Sequence, residues 1–209
     1  VNNYSYREDS GPFRWKLMSE WHLNLDMDGV VTDFIAGAVA THGLEKSPYI
    51  AGESYYNPET GEEVDVADLF GMSATKFWEP TDKEWWANLP KTPECDLIVS
   101  VVRHYFTDKS IAVLSTPSLN EGCMPGKELW IRQHLPFLSR QYIFAPSKKF
   151  CARPTSILID DRDKNVDEFR AAGGHAFLFP RPWNTNHMHQ DNALKMLDAF
   201  ILKTISKRS

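Results

Sequence analysis

The sequence predicts an α/β fold: a mainly parallel sheet with helices on both faces, carrying a small, mainly helical cap inserted after the first strand. Three observations predict it. Short apolar stretches alternate with segments of helical periodicity along most of the 209 residues, a rhythm that calls for crossover connections and therefore parallel strands. Several strand-like stretches end in carboxylates or hydroxyls, and the carboxyl ends of strands are where open α/β sheets carry their chemistry. Residues 44–90 break the rhythm with turn residues and aromatics, as an insertion would.

Trp21 to Asp26 is an apolar-rich run ending in acidic residues and Gly29, read as a strand entering a loop. Between Asp33 and His42, Phe34, Ile35, Ala38 and Val39 recur at helical spacing, and Gly43 is a stop signal. Pro48, Pro58, Gly61, Gly71 and Pro80 then interrupt any long element. From Pro93 to Phe106 the pairs Leu97/Ile98, Val101/Val102 and Tyr105/Phe106 mark an amphipathic helix rejoining the core. A strand is expected at Ser110 to Leu114, then a loop over 115–125 and a short helix through Trp130 and Leu135. Two more strands follow, at Gln141 to Phe144 and Ser156 to Ile159. Asp163 is placed to cap a helix running to Ala172 and ended by Gly173 and Gly174. A last strand, His175 to Phe179, and an amphipathic helix, Asp191 to Ile205, complete the chain. The expected division is a polar extension over 1–19, a core of 20–43 with 91–209, and a cap over 44–90. Met18 stands just before the first strand, so the turn-rich residues 1–17 are read as a leader whose place in the natural protein the sequence leaves open.

Composition narrows the function. A hydrophobic fraction of 42% supports one sizeable core with a small inserted domain. A net charge of -5 gives no field to hold a long phosphate backbone, so no stable duplex nucleic-acid partner is expected, whereas a small phosphorylated molecule fits. Cys95, Cys123 and Cys151 are widely spaced without a CxxC, which reads as reduced thiols in a cytoplasmic protein. No run approaches the roughly 20 apolar residues of a spanning helix, so no membrane partner is expected; an oligomer is left open.

The chemistry is concentrated in Leu25-Asp26-Met27-Asp28-Gly29-Val30-Val31-Thr32-Asp33-Phe34. Two carboxylates one residue apart, at a strand end and before a glycine, can face one cleft. Ionised together they repel, which favours a cation between them or a proton on one; alone, such a pair is more often a solvated acidic turn. Asp160-Asp161 follows the apolar Ile157-Leu158-Ile159, and the two pairs together would suit a hard, oxygen-seeking ion such as Mg²⁺. Ser115-Thr116 ends the strand between them, and Lys148-Lys149 lies in a loop. A hydroxyl and an ammonium beside the acids are what a phosphoryl group needs, although alone Ser-Thr before Pro117 usually makes a turn and a lysine pair usually lies on a solvated surface.

In their order, DxDGV, a strand ending in Ser-Thr, Ser-Lys and IDD resemble the four motifs of the haloacid dehalogenase (HAD) superfamily over residues 21–179. DMDGV with the following Asp33-Phe34 is similar to the 5'(3')-deoxyribonucleotidases and related phage and bacterial proteins. The resemblance implies a Mg²⁺-dependent phosphomonoester hydrolase working through an aspartyl phosphate. Asp26 would be the nucleophile. Asp28 would protonate the leaving oxygen and then activate water. Mg²⁺ would be held by the Asp26 carboxylate, the Asp28 carbonyl and Asp160, with indirect support from Asp161. Ser115, beside Thr116, matches the phosphate-binding hydroxyl. The third-motif lysine is Lys148 or Lys149, with Lys148 preferred, and Lys127 matches a lysine near the phosphate or else lies in solvent.

The nucleotidase resemblance places Phe34 against a base or sugar. In the cap, Trp78 and Trp85 offer flat faces that could stack on a nucleobase, or could serve the cap's own core. The favoured substrate is a nucleoside monophosphate, with another small phosphoester or a nucleic-acid 3'-phosphate as alternatives. A non-catalytic nucleotide or metal sensor is the contrasting class. Base and sugar preference do not transfer, because the cap departs from the resembling enzymes.

Overall fold

The computed structural model describes residues 20–51, 53, 55 and 64–206; the expected extension over 1–19, and Pro58 and Gly61 of the cap, lie outside these. Five parallel strands form one sheet: β1 (His22–Leu25), β2 (Ile111–Ser115), β3 (Tyr142–Phe144), β4 (Ser156–Asp160) and β5 (His175–Leu178). Their order is β3-β2-β1-β4-β5. Central β1 thus has β2 on one side and β4 on the other, with Leu25 level with Val113 and Ile159. This brings the ends of the three motif-bearing strands side by side, as the sequence pattern requires.

The two-residue period of a strand sorts the side chains. Leu23 and Leu25, Ile111 and Val113, Ile157 and Ile159, and Phe177 enter one large core with Ile98, Val102, Trp130, Ile131, Leu197 and Ile201. These come from helices α5 (Cys95–Tyr105), α6 (Cys123–His134) and α8 (Ala193–Ser206). On the other side Leu114, Leu158, Ala176 and Leu178 pack with Val166 and Phe169 of α7 (Asp163–Ala171). In the first two apolar pairs of α5 the second member is the more buried: Ile98 and Val102 are fully covered while Leu97 is exposed, and in the third both Tyr105 and Phe106 are buried.

Between β1 and β2 lie α1 (Phe34–Thr41) and three short helices, α2 (Val66–Leu69), α3 (Ala74–Trp78) and α4 (Lys83–Ala87). Each starts on a side-chain cap, from Asp33, Asp65, Ser73 and Asp82 respectively, which satisfies an otherwise orphaned amide. Ala38, Ala67, Phe70 and Phe77 form a small third core between α1 and these helices. Entry and exit of the segment are clipped together, since Thr32 and Lys91 form an isolated antiparallel bridge and the Thr92 hydroxyl donates to the Val30 carbonyl at 2.6 Å.

The segment also rests on the core through α4 and α6. A Cβ on Gly126 would stand 2.4 Å from the Trp86 Cβ, and one on Gly122 2.3 Å from the Lys83 nitrogen. These glycines, one helical turn apart, therefore let the two backbones approach closely.

One capping assignment differs from the sequence expectation. Arg162, not Asp163, occupies the N-cap of α7, and the Asp163 carboxylate instead accepts from the Thr185 amide at 3.3 Å. Asp163 stands at the first helical position, inside the cap, and the returning chain at Thr185 supplies its carboxylate with a donor. Among the described residues no helix is long and apolar enough to cross a membrane, and the three cysteines are free.

Candidate active site

Asp26 follows β1 directly, its amide donating to the Ile159 carbonyl at 2.9 Å, so the sheet ladder fixes its position beside β4. The next residues fold back: the amides of Val31 and Thr32 donate to the Met27 carbonyl at 2.9 and 2.8 Å. Gly29 sits at φ +77°, where a Cβ would fall 2.1 Å from an Asp161 oxygen. Both the left-handed backbone and this close approach require glycine.

Two buried lysines organise the acids. Lys148 Nζ lies 2.5 Å from an oxygen of Asp26 and 2.6 Å from one of Asp160. It occupies a 3₁₀ turn over Lys148–Cys151. Its neighbour Lys149 is exposed and reaches Glu168, at 3.5 Å. Lys127 is fully buried rather than solvated. Its ammonium pairs with Asp28, donates to the Ser115 Oγ at 2.8 Å and stands 4.8 Å from the centre of the Trp86 ring. The exposed Thr116 contributes a carbonyl 3.5 Å from Lys127.

Asp26, Asp160 and Asp161 are all buried and offer ligand atoms within 4.8 Å of one another. Burial pushes the Asp26 carboxyl up to about 7; Lys148 opposes this, while Asp160 and Asp28 reinforce it. Burial, then the charges of Asp26 and Asp160, hold Asp161 well above the usual carboxylate range. Burial also disfavours the Lys148 ammonium, but Asp160 and Asp26 outweigh it and keep the lysine above its ordinary value. Asp160 is further held by the Arg162 amide at 2.9 Å and by Asn165 at 3.1 and 3.2 Å. Asp161 is different: one oxygen accepts from the Trp183 indole at 2.8 Å, and the buried other has no hydrogen-bond partner among the described residues. Three crowded carboxylates, two of them resisting ionisation and one with a spare oxygen, fit a divalent oxygen-seeking cation.

The Asp28 carboxylate points away from that cluster, to Lys127 and to the Thr32 hydroxyl at 3.1 Å. Phe34, Trp78 and Trp85 converge as expected of neighbours, but into one aromatic cluster: Phe34 lies 6.0, 5.6 and 5.7 Å from Trp78, Trp85 and Trp86. The first three are half-buried and Trp86 is buried. Through Trp86 and Lys127 the cluster adjoins Asp28 and Ser115.

The family model described as 5' nucleotidase, deoxy (pyrimidine), cytosolic type C protein matches residues 21–201. The chain belongs to this family. It is accordingly a phosphatase of the 5'-nucleotidase class. Among solved structures it is similar to a HAD family hydrolase from Deinococcus radiodurans R1 with bound phosphate and sodium. The identity is 15% over 88% of this chain and 95% of that one, with a TM-score of 0.49. A haloacid dehalogenase-like protein of unknown function from Agrobacterium tumefaciens C58 is 13% identical over 88% of this chain and 98% of that one, with a TM-score of 0.48. No curated protein matches the chain.

Sequence reasoning missed Thr32, Trp86's place over Lys127, Asn165 and the whole of Pro180-Arg181-Pro182-Trp183-Asn184. The last was detectable: it follows the carboxyl end of β5, where the same logic that singled out Asp26, Ser115 and Asp160 applies. Arg181 donates to the Gly29 carbonyl at 2.6 Å and pairs with Glu94 at 3.1 Å, so it fastens the loop after Asp26 to the start of α5.

Proposed function

We propose that this protein is a Mg²⁺-dependent, cytoplasmic 5'-nucleotidase that removes phosphate from a nucleoside monophosphate through a phosphorylated Asp26. The observation that supports it most is the pair of buried lysines: Lys148 joins Asp26 to Asp160, and Lys127 joins Asp28 to Ser115. Cations so placed suit a phosphoryl group whose charge lies on its equatorial oxygens.

In this reading a carboxylate oxygen of Asp26 attacks phosphorus, and the ester P–O bond breaks as the new O–P bond forms. Asp28 gives its proton to the leaving nucleoside oxygen. Asp28 then recovers a proton from water, whose oxygen attacks phosphorus and releases Asp26 and inorganic phosphate. Lys148, Lys127 and Ser115 bind the phosphoryl oxygens throughout, with Thr116 beside them. The Asp26 and Asp160 carboxylates and the Asp28 carbonyl, with support from Asp161, would hold Mg²⁺, which would supply further positive charge for the phosphoryl oxygens. Phe34, Trp78 and Trp85 present the aromatic surface for base or sugar.

The test is phosphate release from ribo- and deoxyribonucleoside 5'- and 3'-monophosphates beside sugar phosphates, with Mg²⁺ or EDTA, for wild type and Asp26→Asn. Nucleotide turnover that needs Mg²⁺ and disappears in the variant supports the proposal. Turnover of sugar phosphates alone would remove the nucleotide from it, and Mg²⁺-independent turnover would remove the cation.

A further inference from the structure

The carboxyl end of β5 runs into a segment that grips Asp161 at two points. The Trp183 indole nitrogen donates to one Asp161 carboxylate oxygen at 2.8 Å, and the Asn184 side chain donates to the Asp161 carbonyl at 2.8 Å. The same Asn184 amide donates to the Phe179 carbonyl at 2.7 Å, tying the grip to the sheet. A Cβ on Gly29 would lie 3.1 Å from the Trp183 ring, so the indole also borders the nucleophile loop. Tyr49 also neighbours it, with its ring centre 5.1 Å away.

A carboxylate has two equivalent oxygens and a broad, roughly two-fold torsion, so burial alone does not decide which oxygen faces the other acids. An indole nitrogen only donates. It therefore fixes one oxygen as acceptor, and the buried oxygen it leaves unpartnered stays available in the Asp26–Asp160–Asp161 cluster. Such outer partners orient carboxylates and typically change metal affinity about 10- to 100-fold.

We propose that Trp183 is a positioning residue that sets the protein's affinity for a divalent cation by orienting Asp161. This rests on the cation-dependent reading above. The test is calorimetric titration of the full chain with Mg²⁺ alone, comparing wild type with Trp183→Phe, which keeps an aromatic ring but loses the donor. Trp130→Phe is the control, because it removes an indole bond of 2.7 Å to the Leu89 carbonyl in the core. The expected result is a Mg²⁺ Kd raised about 10-fold or more in Trp183→Phe and unchanged in Trp130→Phe. The Mg²⁺ concentration for half-maximal turnover rises by the same factor, and kcat at saturating Mg²⁺ stays within about twofold, as for a residue that acts through affinity alone.

Equal Kd values in wild type and Trp183→Phe overturn the inference and leave the cation-dependent reading standing. Wild-type protein that binds no Mg²⁺ overturns both. If Trp183→Phe does not fold, indole N–H resonances of the wild type decide. A Trp183 signal that shifts on Mg²⁺ addition supports the role, and indole signals that all stay fixed overturn it.

Discussion

Lys148 Nζ sits 2.5 Å from Asp26, while Lys149, one residue later, is exposed and turned toward Glu168. A single residue thus separates an ammonium shared by two buried acids from one in solvent. Removing a partner from a buried ion pair leaves an uncompensated charge, at a cost of about 3–5 kcal/mol. Lys148→Met should therefore lower both thermal stability and kcat/KM, the latter on the order of 100-fold or more given typical losses of a transition-state donor. Lys149→Met should leave kcat/KM within about twofold, as expected for an exposed pair. Steady-state kinetics and thermal melts of the two variants check this.

The acid cluster also predicts how stability depends on pH when no cation is bound. Asp26, raised to about 7, and Asp161, raised well above the usual range, both hold their protons more tightly folded than unfolded. Their contribution is fully present below the ordinary aspartate value, falls as the pH rises, and is lost through the folded values. EDTA-treated protein should thus melt lower at pH 8 than at pH 6, by on the order of 5 °C, and Mg²⁺ should reduce the difference. Asp161→Asn should raise the melting temperature of the metal-free protein at pH 8. A flat profile between pH 6 and 8 would contradict both expectations.

The α4–α6 contact makes a steric prediction. Gly126→Ala places a methyl 2.4 Å from the Trp86 Cβ and 2.5 Å from the Lys83 carbonyl oxygen. Relief requires backbone movement, since neither atom ends a flexible chain, and overpacking of this kind costs about 1–3 kcal/mol. Trp86 stands over Lys127, so activity should fall along with melting temperature. Gly43→Ala, where a Cβ meets nothing within 4 Å, should lower stability through its positive φ alone and spare kcat.

The half-buried aromatic cluster should act on substrate binding. Stacking of a base on an aromatic ring is worth about 1–3 kcal/mol, so Phe34→Ala should raise KM for nucleotides about 10-fold. The same change should leave the KM for a sugar phosphate little altered. Parallel KM increases for both substrates would place Phe34 in support of α1 packing instead.

How much of this was legible follows from the range of each interaction. The strands and the acids at their ends were readable because apolar runs and their terminal residues are local features. Sheet order then brings β1, β2 and β4 together, as any pairing of those motifs must. The choice between Lys148 and Lys149 was not readable, since a one-residue shift in a 3₁₀ turn decides which ammonium enters the core. Lys127 gave no sign of its complete burial, which depends on Trp86 arriving from the inserted segment. Arg181 and Gly29 are far apart in sequence yet hydrogen-bonded, and no local pattern encodes such a contact. Asp163 was misjudged because its partner, Thr185, returns only after another strand.

The central claim is that Asp26 carries the phosphoryl group. Protein acid-quenched during nucleotide turnover can be reduced with borohydride, which converts an acyl phosphate at aspartate to homoserine, and the modified residue located by peptide mass spectrometry. Homoserine at position 26, absent without substrate, is the expected result. Modification at position 28 instead, or steady turnover with no acyl phosphate at any aspartate, would contradict it.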